Sequence, residues 1–110
     1  MVVDDDDDFR ELVVEMLHQS GYQAKGVSGG PAALEILRTA TPALVLTDLF
    51  MKGMEGTDLL KHARKLDIAL PPFVFMTGAV ASKLEDISGA ILCKPFGLDQ
   101  LLDVVALHWG

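Results

Sequence analysis

The sequence predicts one α/β domain with a doubly wound, five-stranded parallel sheet that carries helices on both faces. Five short apolar segments alternate with segments of helical periodicity, and this alternation is typical of parallel sheets covered on both sides. The chain has 110 residues, which indicates a single domain. Half of its residues are hydrophobic, which is enough for a buried core.

The predicted strands are short apolar runs bounded by polar or turn-forming residues. They cover Met1–Val3, Gln23–Val27, Ala43–Thr47, Phe73–Met76 and Ala90–Cys93. Because right-handed crossovers connect parallel strands, this order of elements leaves only a few topologies.

The first helix has the clearest pattern in the chain. Its apolar residues recur at the spacing of one buried helical stripe. The stripe consists of Phe9, Leu12, Val13, Met16 and Leu17. Acidic residues at its start suit the positive end of the helix dipole, and Gly21 is a suitable C-terminal stop.

The remaining helices follow the second, third and fifth strands, with a weaker one after the fourth. Pro31 opens the second helix, which ends before Thr41-Pro42. The third and the last helix each carry an apolar stripe. The stripes are Leu59, Leu60, Ala63 and Leu66, and Leu98, Leu101, Leu102 and Val105. Between Gly78 and Gly89 the sequence predicts only a short, exposed helix from Ala81 to Ile87.

The acidity of the chain is concentrated in one place. The formal net charge is −7, from 9 basic and 16 acidic residues, and Asp4 to Asp8 supply five of the acids. No basic stripe is present, so the composition disfavours nucleic acid as a partner. No apolar run approaches the roughly 20 residues of a membrane-spanning helix, so we expect no membrane association.

Cysteine usage and the amino terminus bear on the compartment. The single cysteine, Cys93, excludes an internal disulfide and favours a reducing environment. The pattern of a signal peptide is missing. We therefore expect a cytoplasmic protein, although a domain excised from a larger protein would have the same features. Cys93 itself is expected to be a small buried hydrophobic residue.

Three carboxylates follow two of the predicted strands. Asp4 and Asp5 come after the first strand, and Asp48 follows the third. Ligands of open α/β sheets bind at this carboxyl edge. Carboxylates crowded there repel one another by about 4 kcal/mol per pair at about 4 Å and an effective dielectric of about 20. A divalent cation relieves that repulsion, and oxygen ligands of this kind suit Mg²⁺.

Four motifs stand in order, each at the end of a predicted strand. They are Val2-Val3-Asp4-Asp5, the segment from Leu46 to Gly56 around Asp48, Met76-Thr77-Gly78, and Lys94-Pro95-Phe96. Together they resemble the receiver domain of two-component response regulators, and the resemblance covers residues 1–110. It implies a flavodoxin-like fold with strand order 2-1-3-4-5.

The resemblance also implies the chemistry of the site. A phosphoryl group would pass from a phosphohistidine of a histidine kinase or His-phosphotransfer domain to Asp48. Asp5 and Asp48 would hold Mg²⁺, with Asp4 acting directly or through water and the carbonyl of Phe50 as a further ligand. Lys94 would pair with Asp48 and then with a phosphoryl oxygen, and Thr77 would donate its hydroxyl to another. Such a domain catalyses its own phosphorylation and is not a turnover enzyme; its output domain or effector is unknown.

The chain departs from the family pattern in three places. Lys52 stands where a proline is common, four residues after Asp48, and Ile91 replaces the aromatic switch residue. The segment from Thr77 to Lys94 is shorter than usual, mostly in the family's fourth helix. Receivers attached to hybrid histidine kinases have similarly short helices, so the sequence leans towards that setting.

Other interpretations remain open. Asp4 to Asp8 alone would be a solvated helix start, Thr77 a strand-end residue and Lys94 a surface charge. A degenerate receiver that serves only as an interaction module is the main alternative. A haloacid-dehalogenase-type phosphatase would need an aspartate where Phe50 stands, and an acidic first loop opposes an FMN phosphate. The bulk of Phe50 also predicts a long-lived phosphorylated state, because it obstructs an attacking water.

Overall fold

The computed structural model of the chain contains five parallel strands in one sheet. The structure describes residues 1–78, 90–94 and 96–109. The strands are β1 (Val2–Val3), β2 (Gly26–Val27), β3 (Val45–Asp48), β4 (Phe73–Thr77) and β5 (Ala90–Cys93). The described helices are α1 (Asp7–Gln19), α2 (Gly30–Thr39), α3 (Gly56–Arg64) and α4 (Leu98–His108). The strand order is β2-β1-β3-β4-β5, so the predicted fold class and topology are confirmed.

Several strands differ in length from the prediction. β2 covers only two residues, because it pairs with the two-residue β1 at Val2↔Gly26 and Val3↔Val27. β3 begins two residues later than expected, at Val45. β3 and β4 each extend one residue further, since Asp48 pairs with Met76 and Thr77 pairs with Cys93. The predicted short helix over residues 81–87 lies outside the described residues.

The helices lie on both faces of the sheet, and alternate strand residues point to opposite faces. One core cluster joins the sheet to α2 and α3. Its buried members include Val45, Phe73, Phe75, Leu37 and Leu59. The other joins the sheet to α1 and α4. Its buried members include Leu46, Val74, Met76, Val13 and Leu101.

The buried stripe of α1 is narrower than predicted. Val13 and Leu17 are buried, and Phe9 and Met16 pack partly buried against the same cluster. Leu12 was expected in this stripe but is 55% exposed. The reason is geometric: Leu12 precedes Val13 by one residue, which turns its side chain by about 100° towards solvent.

The helix starts agree well with the local sequence signals. Asp6 caps α1 by accepting the N–H of Phe9 at 3.2 Å, and Pro31 occupies the first turn of α2. Within residues 1–78, 90–94 and 96–109, no helix has the length and apolar character that crossing a membrane requires.

Candidate functional site

Three carboxylates meet at the carboxyl edge of the sheet. β1 and β3 are neighbours in register, with Val3 opposite Thr47, so Asp4 and Asp48 leave the sheet side by side. Ligand oxygens of Asp4, Asp5 and Asp48 all lie within 4.8 Å of one another. Asp4 is fully buried, Asp48 is half-buried and Asp5 is exposed. The cluster therefore opens to solvent on the side of Asp5.

Lys94 brings a positive charge from the far end of the chain. Its Nζ lies 3.2 Å from Oδ2 of Asp4 and 3.5 Å from Oδ1 of Asp48. The backbone N–H of Lys94 donates to the carbonyl of Thr77 at 2.8 Å, which continues the pairing of β5 with β4. The sheet thus directs this side chain across β4 towards β3. The predicted pairing of Lys94 with Asp48 is present, and Asp4 is a second, closer partner.

Hydrogen bonds fix the loop after β1. The carboxylate of Asp4 accepts the N–H of Asp6 at 3.0 Å. The carbonyl of Asp4 accepts a guanidinium N–H of Arg10 at 2.9 Å, and Arg10 also pairs with Asp7 at 2.7 Å. Sequence reasoning missed Arg10, because the contact is made with a main-chain oxygen and leaves no signature in the residue types.

The loop after β3 is hydrogen-bonded to Asp5. The backbone N–H of Lys52 donates to Oδ2 of Asp5 at 3.0 Å. A proline has no N–H and cannot make this bond. The departure at position 52 therefore gives this chain a direct link between the loop after β3 and the loop after β1.

Gly56 allows α3 to begin against the end of β3. A Cβ at this position would lie 2.5 Å from the carbonyl oxygen of Asp48 and 3.2 Å from the ring of Phe75. The N–H of Gly56 donates to the carbonyl of Leu49 at 2.9 Å. Close approach of two backbones needs a residue without a side chain, so Gly56 helps to set the position of Asp48.

The environment raises the pKa of Asp48 above its ordinary value. Burial is the largest cause, and the negative charge of Asp4 adds to it. The ammonium of Lys94 and the backbone N–H of Phe50, which donates to the Asp48 carboxylate, act in the opposite direction. The charged form of Asp48 is thus incompletely compensated by the protein's own groups.

The site fits a hard divalent cation. Three carboxylates cluster here, and Lys94 pairs with two of them, Asp4 and Asp48. The pKa of Asp48 is raised in spite of this ammonium. The donors are oxygens, which Mg²⁺ prefers, and the exposed side at Asp5 leaves an entry path. Asp4, Asp5 and Asp48 are the side chains that would hold the ion.

The other predicted site residues lie at the same edge. Thr77 ends β4 and is buried. Phe50 follows Asp48 by two residues and is 44% exposed. Ile91 is half-buried in β5, opposite Phe75. The hydroxyl role of Thr77, the carbonyl role of Phe50 and the catalytic roles of Asp48 and Lys94 stay predictions.

The expectation that Cys93 is buried is wrong. Cys93 is exposed rather than buried, because β5 is an edge strand and Cys93 is its last residue.

Trp109 packs on Tyr22 with ring centroids 4.8 Å apart. It lines a groove with Met1 and Leu44, at the edge of the sheet opposite Asp48. Trp109 is therefore suited to reporting unfolding rather than events at Asp48.

Comparisons with known proteins agree with this geometry. The sequence profile described as the response regulator receiver domain matches residues 1–106. The chain is 33% identical over 110 residues to the response regulator receiver protein CpdR of Brucella abortus, covering 96% of this chain and 91% of that protein. It is 29% identical over 109 residues to sporulation initiation phosphotransferase F of Bacillus subtilis, covering 96% and 88%.

A solved structure gives the same result. The crystal structure of the receiver domain from the hybrid histidine kinase CckA superimposes with a TM-score of 0.83 at 27% identity. The match covers 99% of this chain and 96% of that one. The similarities therefore extend over nearly the whole domain rather than one motif.

Proposed function

Because this chain belongs to the response regulator receiver domain family of two-component signalling, we propose that it is a phosphoacceptor domain with Asp48 as the acceptor. The donor is a phosphohistidine of a histidine kinase or a His-phosphotransfer domain. The convergence of Lys94 and two further carboxylates on Asp48 is the observation that supports this role best.

The transfer itself requires one bond to form and one to break. A carboxylate oxygen of Asp48 attacks phosphorus, and the phosphorus–nitrogen bond of the donor breaks. The electron pair of that bond goes to the donor nitrogen. With the other ring nitrogen protonated, the donor leaves as a neutral imidazole, and Asp48 becomes an acyl phosphate. Such transfer depends mainly on positioning and on neutralising charge.

The protein's own groups meet these needs. Lys94, already within 3.5 Å of Asp48, moves its ammonium onto an oxygen of the bound phosphoryl group. The hydroxyl of Thr77 donates to another oxygen, and this contact carries the signal to the loop after β4. Asp5, Asp48, Asp4 and the carbonyl of Phe50 would hold Mg²⁺, which would neutralise the phosphoryl oxygens as they approach the carboxylates.

We do not assign a turnover activity on small metabolites. The domain catalyses its own phosphorylation and loses the phosphoryl group to water or to a second histidine. The proposed setting is the cytoplasm, where it would receive its signal from a kinase or phosphotransfer partner. Attachment to a hybrid histidine kinase is one arrangement that the short segment between Thr77 and Lys94 favours.

Incubation with acetyl phosphate and Mg²⁺, followed by intact mass measurement, tests the proposal. The chain should gain the mass of one phosphoryl group. Asp48→Asn should abolish the gain, whereas Asp103→Asn, on the exposed side of α4, should leave it intact. No gain with acetyl phosphate or with other small phosphodonors would count heavily against an acceptor role.

A receiver that acts only as an interaction module is the second candidate. The departures at Lys52 and Ile91 favour it, because Lys52 replaces a proline that is common in the family and Ile91 replaces the family's aromatic switch residue. Unfolding curves followed by Trp109 fluorescence separate the two candidates. A metal-dependent acceptor should become more stable as Mg²⁺ is added, and a degenerate module should not respond.

A further inference from the structure

The ammonium of Lys94 has a third neighbour besides its two carboxylates. Its Nζ lies 4.2 Å from the centroid of the Phe9 ring, on the face of the ring. The side chain of Lys94 is 24% exposed, so the ring covers part of a charge that would otherwise be more hydrated. Cations within about 6 Å of an aromatic face are attracted to it.

The ring is itself held in place from two directions. Phe9 belongs to the first turn of α1, where its N–H is bound by the cap residue Asp6. Phe96, two residues after Lys94, forms a T-shaped pair with the Phe9 ring, with centroids 5.6 Å apart and planes at 81°. Both rings pack against the core cluster between the sheet, α1 and α4. The aromatic face therefore has a fixed position relative to the site.

A lysine side chain does not by itself fix the position of its charge. Its side chain is a flexible stem with a compact charge, yet the proposed role needs the charge beside Asp48. A third carboxylate would hold the ammonium, but it would compete with the incoming phosphoryl oxygens. An aromatic face attracts the charge without supplying a lone pair, so the ammonium keeps its donors for oxygen partners.

We propose that Phe9 is a positioning residue for Lys94: its ring face keeps the ammonium over the acceptor before and during phosphorylation. The inference rests on the proposed function for its effect on rate. The contact itself is independent of that function. Sequence patterning assigned Phe9 to the buried stripe of α1 and gave no sign of this second role.

Phosphorylation by acetyl phosphate provides the first test, because a small donor removes any contribution of Phe9 to protein docking. Phe9→Leu keeps an apolar side chain but removes the ring face, and it should slow phosphorylation by about threefold, the size expected for one partly exposed cation–π contact. Phe9→Tyr keeps the face and should restore most of the rate. Equal rates in the wild type and Phe9→Leu would overturn the proposal.

A double-mutant cycle separates positioning from general damage to the fold. In a Lys94→Met background the ring has no ammonium to position, so adding Phe9→Leu should slow phosphorylation no further. The same threefold loss in that background would contradict the proposal. Unfolding curves followed by Trp109 fluorescence identify any variant that fails to fold.

A measurement without phosphorylation distinguishes failure of this inference from failure of the proposed function. In the NMR spectrum of the wild type, the ε-methylene protons of Lys94 should be shifted upfield by the ring current of Phe9. The shift should persist in Phe9→Tyr and disappear in Phe9→Leu. If the wild type takes no phosphate but shows the shift, the contact stands and the acceptor role fails. If the shift is missing, the positioning role fails.

Discussion

The ammonium of Lys94 lies closer to the buried carboxylate of Asp4, at 3.2 Å, than to Asp48, at 3.5 Å. Asp4 is fully buried, and its other carboxylate oxygen accepts the N–H of Asp6. In the resting domain Lys94 is therefore as much a counter-ion for Asp4 as a partner of the proposed acceptor. This pairing links the stability of the fold to the charge balance of the site.

Removing the Lys94 charge should destabilise the fold. Lys94→Met leaves Asp4 buried without its ammonium, which should lower the free energy of unfolding by about 1–3 kcal/mol at neutral pH and low Mg²⁺. Urea unfolding followed by Trp109 fluorescence measures this loss, and added Mg²⁺ should recover part of it. Lys65→Met, at the exposed end of α3, is the matched control. Equal stability of the two variants would contradict the pairing.

Removing the Asp48 charge should have the opposite effect. Burial and the charge of Asp4 raise the pKa of Asp48 in the folded state, so the folded domain binds this proton more tightly than the unfolded chain does. The resulting loss of stability is absent at pH values below the ordinary aspartate pKa of 3.8, and it grows as pH rises through the raised pKa. Asp48→Asn should therefore have a higher Tm than the wild type at pH 7 without Mg²⁺.

Measuring Tm as a function of pH tests this effect of the Asp48 charge. The difference in Tm between Asp48→Asn and the wild type should shrink as pH falls below the ordinary aspartate pKa of 3.8, where the carboxyl is protonated in both states. Saturating Mg²⁺ should also reduce the difference, because the ion stabilises only the wild-type carboxylate. A wild type that is more stable than Asp48→Asn at neutral pH would show that the site carries no such penalty.

The hydrogen bond between the Lys52 N–H and Asp5 predicts that two substitutions at position 52 differ in their effect on stability. Lys52→Pro removes the N–H that binds Asp5, and it should destabilise the domain by about 1 kcal/mol. Lys52→Ala keeps the N–H and loses only an exposed side chain, so its effect should stay within about 0.5 kcal/mol. Chemical denaturation measures both. In an Asp5→Ala background, Lys52→Pro should lower the free energy of unfolding by less than it does in the wild type. An equal decrease in both backgrounds would mean that the proline acts through backbone geometry alone.

Phe50 should influence the lifetime of the phosphorylated state. Phe50 follows Asp48 by two residues, and its side chain is 44% exposed. We expect Phe50→Asn to shorten the lifetime, because a smaller polar side chain admits and orients water, whereas Phe50→Leu should resemble the wild type. Decay of the phosphorylated mass after removal of the donor gives the rates. A longer lifetime in Phe50→Asn would contradict the obstruction that we infer.

The residue types at the carboxyl ends of the strands made much of the site predictable from the sequence. Asp4 and Asp48 follow or end short apolar runs, and parallel pairing of β1 with β3 places them together. Lys94 lies at the end of another strand of the same sheet, so its approach to the same edge follows from the topology. Residue type, position in a strand and strand order were sufficient for this convergence.

Contacts that depend on side-chain direction or on the backbone were not predictable in this way. Arg10 binds a carbonyl, and Gly56 is required by the close approach of two backbones. Phe9 has the right spacing for a core residue, and its contact with Lys94 depends on where two long-range elements meet. Leu12 and Cys93 were misjudged because apolar character alone does not reveal a narrow stripe or a sheet edge.

Locating the phosphoryl group after reaction with acetyl phosphate is the most direct test of whether Asp48 is the metal-dependent acceptor. The reaction is run with Mg²⁺ and, in parallel, with EDTA, and the modified residue is identified by mass spectrometry of proteolytic fragments. We expect a single modification, at Asp48, that forms only with Mg²⁺. A phosphoryl group on another residue, or one that forms equally well in EDTA, would contradict it.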